Sequence, residues 1–596
     1  MILTALDEYY RQLLRERPGS VPELGWALCK VTHLLALSPE GELVNVIPAP
    51  DKKGWTKRVP EREKRTVGIA ANALCDNSSY LLGIDAKGKP ERSAKCFEAA
   101  RSLHLDMLAD VTSEPGLAVR RFFERWDPGT ALENELVQSE KDALLAGGNL
   151  TFVIDGVDVA ADEEVRAAWD AFRNRQREDD SVMRCLVTGD LAPVATLHPP
   201  IKGIAGAQSS GASLVSFNAR SFESYGHAEE QGRNAPVSKQ AAFSYAAALN
   251  YLISAPEHSV RIGDTTVVYW ADRGDEPATH SISVLLGGRR PNEGPVKDGK
   301  AVDKSIEAIM RSLASGGLPD LEGLDPDATF YVLGIAPNAA RLSVRFFYRN
   351  TFAAIYENLR RHYVRIALAS GSDRLLTPYW LVKSVENPNA KNPVASSELG
   401  GALLRAIFSN SPYPRALYSN ALLRVRVTRD DDDKHVRRVS RERAAIVKAY
   451  LIKNIGLYEE GTMESIDEER TDAAYALGQL FWVLEDLQHL AMPKINTTIN
   501  DKYFDSACTT PARVFPALVK LSNKHLVKAK RDHVAIATAI EKRRDDLLGR
   551  VIGKFPLRLS DVEQGEFILG YFHLRAKDLG ERAARKKDAE SPAEEE

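Results

Sequence analysis

DEERTDAAYALGQLFWVLEDLQHLA, residues 467–491, decides how this chain is read. Ala473, Leu477, Leu480, Leu484, Leu487 and Ala491 recur in steps of four and three. That spacing places them on one side of a helix starting near Asp467, as a one-sided apolar seam. A seam of this length needs partner helices, and the sequence supplies them on both sides. Downstream, Pro511 to Arg531 and His533 to Leu548 have helical periodicity. A last helix starts after Ser560, with Glu563 three residues on, as a capping box requires. The tail RAARKKDAESPAEEE reads as a disordered polar end. Upstream, ELGGALLRAIFS, YPRALYSNALLRVRV and RERAAIVKAYLIKNI are also helical in period, with TRDDDDKHVRR (428–438) as a charged connector.

Before about Ser396 the texture differs. WALCKVTHLLAL, CLVTGD, TTVVYWAD and SISVLL carry the β-branched and aromatic bias of buried strands, and VSFNARSF reads as the entry to a strand or the exit from one. The N-terminal MILTALDEYYRQLLRERPG reads as an amphipathic helix ended by Pro18-Gly19, and further helices are predicted at Lys95 to Asp110, Leu117 to Arg125 and Lys239 to Ile253. Ser238 caps the last of these. The expected fold class is α+β. Residues 1–395 form a mixed α/β region, 396–439 a helical connector and 440–596 a C-terminal helical bundle.

With 596 residues the chain has room for several domains and a large core. Its 79 basic and 82 acidic residues nearly cancel, so overall charge argues neither for nor against nucleic acid, and local patches must decide. No run approaches the roughly 20 apolar residues of a membrane helix. Five cysteines without C-x-x-C spacing read as reduced structural thiols, and the N-terminus lacks a charged leader. The expectation is a cytoplasmic protein with no cofactor and no metal.

Catalytic motifs are missing from the linear sequence. There is no G-x-x-x-x-G-K-[ST] loop, no H-E-x-x-H and no G-x-S-x-G. The Asp430 to Asp433 run is the one dense acidic cluster, and it reads as a solvated connector. The expectation is therefore not an enzyme. A rival reading is a nucleic-acid enzyme, a degenerate polymerase or nuclease whose carboxylates converge only in the fold. A purely architectural scaffold is the other alternative.

Four features point to binding. The run Lys52, Lys53, Lys57 and Arg58, continued by Arg62, Lys64 and Arg65, sets Trp55 among cations, a pattern suited to phosphates and a stacked base. Directly after it, Asn72 interrupts a small-residue segment, while Asp76, Asn77 and Ser78 read as turn chemistry between strands. LHPPIKGIAGAQSSGASLVSFNARSF, opening at Leu197, is rich in Gly, Ser, Asn and Gln. Lys202 leads into it, and Gln208, Ser209 and Ser210 form a Gly-flanked tip with neutral hydrogen-bonding groups. Arg513, Lys520, Lys524, Lys528 and Arg531 share one face of a helix whose other face carries Val514, Leu518 and Leu521. Asn234 and Ser238 read as structural.

Several long blocks together resemble the signature large subunit of type I-C CRISPR interference complexes, the Cascade assemblies of bacteria. They are VGIAANALCDNSSYLLGID (67–85), the segment 197–252, FYVLGIAPNAARLSVRFF (330–347), ARVFPALVKLSNKHL (512–526) and EQGEFILGYFH (563–573). The resemblance implies a DNA-recognition role for region 1–395. The subunit would bind the short protospacer-adjacent motif in duplex DNA and promote R-loop formation, with the bundle guiding the non-target strand. Implied partners are CRISPR RNA, target double-stranded DNA, the backbone and guide-processing subunits, a small subunit, and a helicase-nuclease recruited afterwards. The family is also known to make its small subunit by internal translation. Met463, just after the purine-rich codons of Glu459-Glu460-Gly461, is the expected start of a 463–596 product.

Overall fold

The computed structural model describes every residue except 18, 52–53, 63–67, 85–88, 176–180, 218, 225, 228–229, 274, 288–303, 370–373, 388–397, 432–435, 552–554 and 591–596. Contacts divide the chain into two units. Met1–Pro199 with Val215–Tyr251 is one; Pro200–Leu214 with Leu252–Glu596 is the other. Helices of ten residues or more are numbered below.

The first unit holds α1 (Ile2–Glu16), α2 (Pro90–Met107), α3 (Glu114–Arg125), α4 (Glu163–Arg175) and most of α5 (Lys239–Ser254). Its main sheet has the order β3 (Leu43–Pro48), β2 (His33–Leu37), β6 (Leu150–Ile154), β5 (Cys75–Asp76). The short β7 (Val157–Asp158) also pairs with β6, and β2 and β6 run parallel. β1 (Trp26–Val31) and β4 (Trp55–Pro60) form a separate antiparallel ribbon, and β8 (Val182–Arg184) with β9 (Leu191–Pro193) another. The core gathers Leu35, Phe97, Phe122, Phe123 and Phe152.

The second unit is built on an antiparallel sheet, β10 (Ser259–Ile262), β11 (Thr265–Ala271), β12 (Thr329–Asn338) and β13 (Arg341–Thr351). Every residue of β11 is buried, consistent with its β-branched and aromatic make-up. Between Gly334 and Ile335 the register shifts past Arg345, a bulge in β13, and a Cβ on Gly334 would meet the Phe346 ring at 2.5 Å. The helices α6 (Asp275–Leu286), α7 (Lys304–Ser315), α8 (Phe352–Ile366), α9 (Leu399–Phe408), α10 (Arg415–Val427) and α11 (Arg441–Tyr450) follow. The bundle helices are α12 (Ala473–Ala491), α13 (Ile499–Thr509), α14 (Pro511–Asp532), α15 (Val534–Arg550) and α16 (Asp561–Glu590). One apolar core runs from Val260 on the sheet to Leu574 on α16.

The α+β class with a C-terminal helical region is what the structure shows. Several local expectations need correcting. The seam helix starts at Ala473, not Asp467, and its burial is not one-sided. Gln479, Glu485, Asp486 and Gln488 are buried with its apolar residues. Polar partners make this tolerable: Glu485 accepts from Asn500 Nδ2 at 3.2 Å and from Tyr571 OH at 2.9 Å, and Gln488 Oε1 accepts from Ile499 N at 2.8 Å. SISVLL lies in α6, where Ala278, Ile282, Leu285 and Leu286 are buried at helical spacing; a short apolar run does not separate strand from buried helix. CLVTGD is the turn between β8 and β9. VSFNARSF carries no strand among its described residues, and its end forms a 3-10 turn, Arg220–Phe222. Asp76-Asn77-Ser78 joins β5 to a short helix, Ser78–Leu81, with Asn77 as its cap, and not to a second strand. The expected disordered tail is helical through Glu590, with Arg582 paired to Asp486; residues 591–596 lie outside the described residues. The capping box at Ser560 and Glu563 forms as read, and a second at Thr498 and Asp501 starts α13, which sequence reading missed.

α12 and α16 approach through two reciprocal glycines. A Cβ on Gly478 would lie 2.0 Å from the Phe567 carbonyl oxygen, and one on Gly570 would lie 2.1 Å from that of Tyr475. Those are backbone atoms and have no rotamer through which to yield. Gly478→Ala should therefore destabilise the fold by about 1–3 kcal/mol through overpacking. Gly580→Ala, where a Cβ meets nothing within 4 Å, should be neutral or stabilising by up to about 1 kcal/mol from helix propensity. Denaturant melts of the two variants check this.

Candidate nucleic-acid interface

The basic run falls on and beside the β1–β4 ribbon. Lys52, Lys53, Lys64 and Arg65 lie outside the described residues. Lys57 and Arg58 are described, and both are engaged. Lys57 Nζ is 2.9 Å from both carboxylate oxygens of Asp158. Arg58 pairs with Glu23 at 2.8 Å and lies 5.1 Å from the Trp26 ring centroid, a ring that Arg166 also approaches. Their partners are far away in sequence. Lys30, on the neighbouring strand, is exposed, and its Nζ donates to Thr56 Oγ1 at 2.7 Å. It is a cation of this ribbon that sequence reading missed.

The segment from Asn72 to Ser79 is a built turn, not an exposed reader. Asn72 is 4% exposed, and its backbone N–H donates to Asp76 Oδ2 at 3.0 Å. Leu74 takes a left-handed backbone, φ 56°, and its N–H donates to His104 Nε2 at 2.8 Å. With Nε2 accepting, His104 carries its proton on Nδ1, 2.7 Å from the Ala100 carbonyl, and its ring stacks on Phe123 at 4.3 Å. Thr151 Oγ1 donates to the Leu74 carbonyl, and Ser78 Oγ to that of Leu144. The expectation that Asn72 offers its amide to a groove is not met in this conformation, because the segment's hydrogen bonds turn inward.

The glycine-rich loop behaves differently. Ile201 and Ala212 close it with reciprocal backbone bonds of 2.9 Å, and Gly203, Gly206 and Gly211 all take positive φ. Gln208, Ser209 and Ser210 are exposed at the tip, and Lys202 is exposed at the base. The loop is anchored on the β12–β13 turn: Ser213 N donates to the Ala340 carbonyl and Leu342 N to that of Ser213, both at 3.0 Å. The loop within 200–214 and the block 330–347 thus meet at one place, which linear spacing could not show. Asn234 and Ser238 are structural as read. The Asn234 side chain ties Ser224, His227 and Gln231, and Ser238 Oγ accepts from Ala241 N.

On α14, Arg513, Lys520, Lys524, Lys528 and Arg531 are all exposed, while Val514 and Leu518 are buried. At 1.5 Å per residue the stripe is about 27 Å long. Asp532, the last residue, is the only acid in the helix. Ion pairing of Lys530 with Glu541 at 2.6 Å, and bonds from Arg544 to Ser522 and Asn523, hold α14 to α15. The cationic stripe is thus displayed on a fixed helix.

Met463, the expected internal start, lies in the loop before α12 with φ 59° and 8% exposure, and its sulfur accepts from Arg470. Asp430 accepts from Arg438 N, and Asp431 forms an isolated antiparallel bridge with Val436; Asp432 and Asp433 lie outside the described residues. Among the described residues no group of three or more His, Cys, Asp or Glu is placed to hold a metal, and no helix is long and apolar enough to cross a membrane.

Burial holds His104 down to about 4, and it acts likewise on His573, to about 4, and His362, to about 3. A group whose folded value is depressed contributes stability that is full above its unfolded value of about 6.5 and is lost as pH falls toward the folded one. Stability should fall by up to roughly 3 kcal/mol per such histidine between about pH 6.5 and about pH 4. His104→Gln should be weaker at about pH 7.5 but less acid-sensitive, as measured by urea midpoints across that range.

Residues 6–578 match the family model described as "CRISPR-associated protein (Cas_Csd1)". No curated protein matches the chain.

Proposed function

Because the chain belongs to the Cas_Csd1 family of CRISPR-associated proteins, we propose that it is the non-catalytic large subunit of a type I-C Cascade surveillance complex. In this reading it binds the protospacer-adjacent motif in duplex DNA, promotes unwinding, and leaves sequence specificity to pairing with CRISPR RNA. Backbone and guide-processing subunits hold that RNA, and a separate helicase-nuclease acts after the R-loop has formed.

The observation that carries the DNA-binding part is the α14 stripe: five exposed cations on one face of an anchored helix, with no acid before Asp532. Such a stripe suits a displaced single strand, whose phosphates are recognised without regard to sequence. Asn72 is buried, whereas the neutral side chains of the Gln208–Ser210 tip are exposed on a loop fixed at its base, which supports a base-reading role for the tip. Lys57 and Arg58 support the ribbon through Asp158 and Glu23.

Charge reversal at Lys520, Lys524 and Lys528 should weaken binding to all target DNAs. It should also reduce the slope of log affinity against log salt, by about 0.7 for each single-strand phosphate that is no longer neutralised. Alanines at Gln208, Ser209 and Ser210 should instead narrow the gap between correct and altered adjacent motifs. Filter binding by the assembled complex across a salt series separates the two effects. If the charge-reversed variant keeps the wild-type slope, the stripe does not touch DNA. Magnesium-dependent cleavage by the chain alone would replace the whole reading with a nucleic-acid enzyme.

An internal product starting at Met463 would retain α12 to α16 entire, as a separate small subunit. It would lack α11, which packs on α16, where Gly565 faces Val447 and Leu451. Expression of the intact gene should give a short C-terminal species whose first residue is Met463. A different N-terminal peptide, or persistence of the species in Met463→Ala, would refute that start.

A further inference from the structure

Cys29 lies on β1 and Cys75 on β5, in two different sheets, yet the two side chains pack together in one cluster with Val31 and Val59. Two donors reach the Cys29 sulfur: Asn149 Nδ2 at 3.2 Å and Arg62 Nη1 at 3.5 Å. A sulfur that receives an amide and a guanidinium is favoured as a thiolate. The neighbouring Cys75, helped by Arg62, draws the Cys29 thiol down to about 6. Cys75 is raised, by Cys29 and by burial. Cys29 is thus half-buried with its thiolate favoured, and its neighbour Cys75 is fully buried with its thiol favoured. The remaining cysteines, Cys96, Cys185 and Cys508, are buried.

We propose that Cys29 and Cys75 form a peroxide-responsive dithiol in which Cys29 is oxidised first and Cys75 resolves it to a disulfide. The Cys29 thiolate attacks one oxygen of hydrogen peroxide and the O–O bond breaks. Cys29 becomes the sulfenic acid, and the departing hydroxide takes a proton to become water. The Cys75 sulfur then attacks the Cys29 sulfur, the S–O bond breaks, and the hydroxyl leaves as water with the Cys75 proton. Two electrons pass from the two sulfurs to the peroxide. The new bond staples the β1–β4 ribbon to the main sheet and removes the negative charge that faces Arg62.

The test uses the full reduced chain. Hydrogen peroxide is added in small excess, remaining thiols are blocked under denaturing conditions, and peptides are mapped by mass. The expected result is the loss of two of the five thiols and a linked pair of peptides containing Cys29 and Cys75, lighter by two hydrogens. In Cys75→Ser, Cys29 should stop at a sulfenic acid that dimedone traps; in Cys29→Ser, Cys75 should stay reduced. A measurement on the unaltered chain guards against misfolded variants. Thiolate fraction rises with a lowered pKa while nucleophilicity falls, so alkylation of Cys29 by iodoacetamide should exceed that of an ordinary peptide cysteine by about twofold at pH 7 and about tenfold at pH 6. Reaction at pH 6 no faster than the peptide, a disulfide joining any other pair, or oxidation of Cys75 in Cys29→Ser would each overturn the proposal.

Discussion

The backbone-to-backbone crossing of α12 and α16 at Gly478 and Gly570 is the constraint on which the bundle depends. With no side chain at either position, the two helices come close enough for each glycine to sit against the other helix's carbonyl. Everything else packs around that line. Phe504 meets Phe481, Phe567 and Tyr571 edge-on beside it, with Phe481–Phe504 centroids 5.2 Å apart and Phe504–Tyr571 5.3 Å. Glu485, buried in the same layer, is satisfied by Asn500 and Tyr571. A helix surrounded this closely cannot itself offer a binding face. α14, by contrast, buries Val514, Phe515 and Leu518 inward and turns its cations outward.

The sheet sets a similar constraint on the glycine-rich loop. A loop with three left-handed glycines would wander if it were tied only to itself. Its link through Ser213 to the β12–β13 turn supplies the anchor, and Gly206 settles near Pro337 of the same hairpin. The bulge at Arg345 and the long, paired β12 and β13 fix where that turn lies. Rigidity at the base and exposure at the tip are what a recognition loop requires.

What could be read in the sequence was whatever local chemistry dictates. The seam of Leu477, Leu480, Leu484 and Leu487, the Ser560–Glu563 box and the Ser238 cap each depend on residues a few positions apart, and each forms. The exposure of the α14 cations follows from the same helical spacing. What failed was whatever depends on distant partners. Nothing near Lys57 or Arg58 in the chain announces Asp158 or Glu23, so their engagement was invisible. Asn72 looked like an interruption in a small-residue run, but its burial is set by Asp76, His104 and Thr151, which fold the segment inward. SISVLL was ambiguous because its length suits either a strand or one side of a buried helix, and packing against β11 chose the helix. The Thr498–Asp501 box was legible in principle but passed over, because the segment after it has weak apolar periodicity.

The central claim is that this chain carries DNA on the displayed face of α14 within a larger assembly. Photo-crosslinking tests it most directly. A photoreactive amino acid is placed at position 524 in the assembled complex, and the complex is loaded on a target duplex whose two strands carry different labels. The account predicts crosslinks to the displaced strand, appearing only when the guide matches the target. Crosslinks confined to protein or guide RNA, or equal labelling without a matching guide, would contradict it.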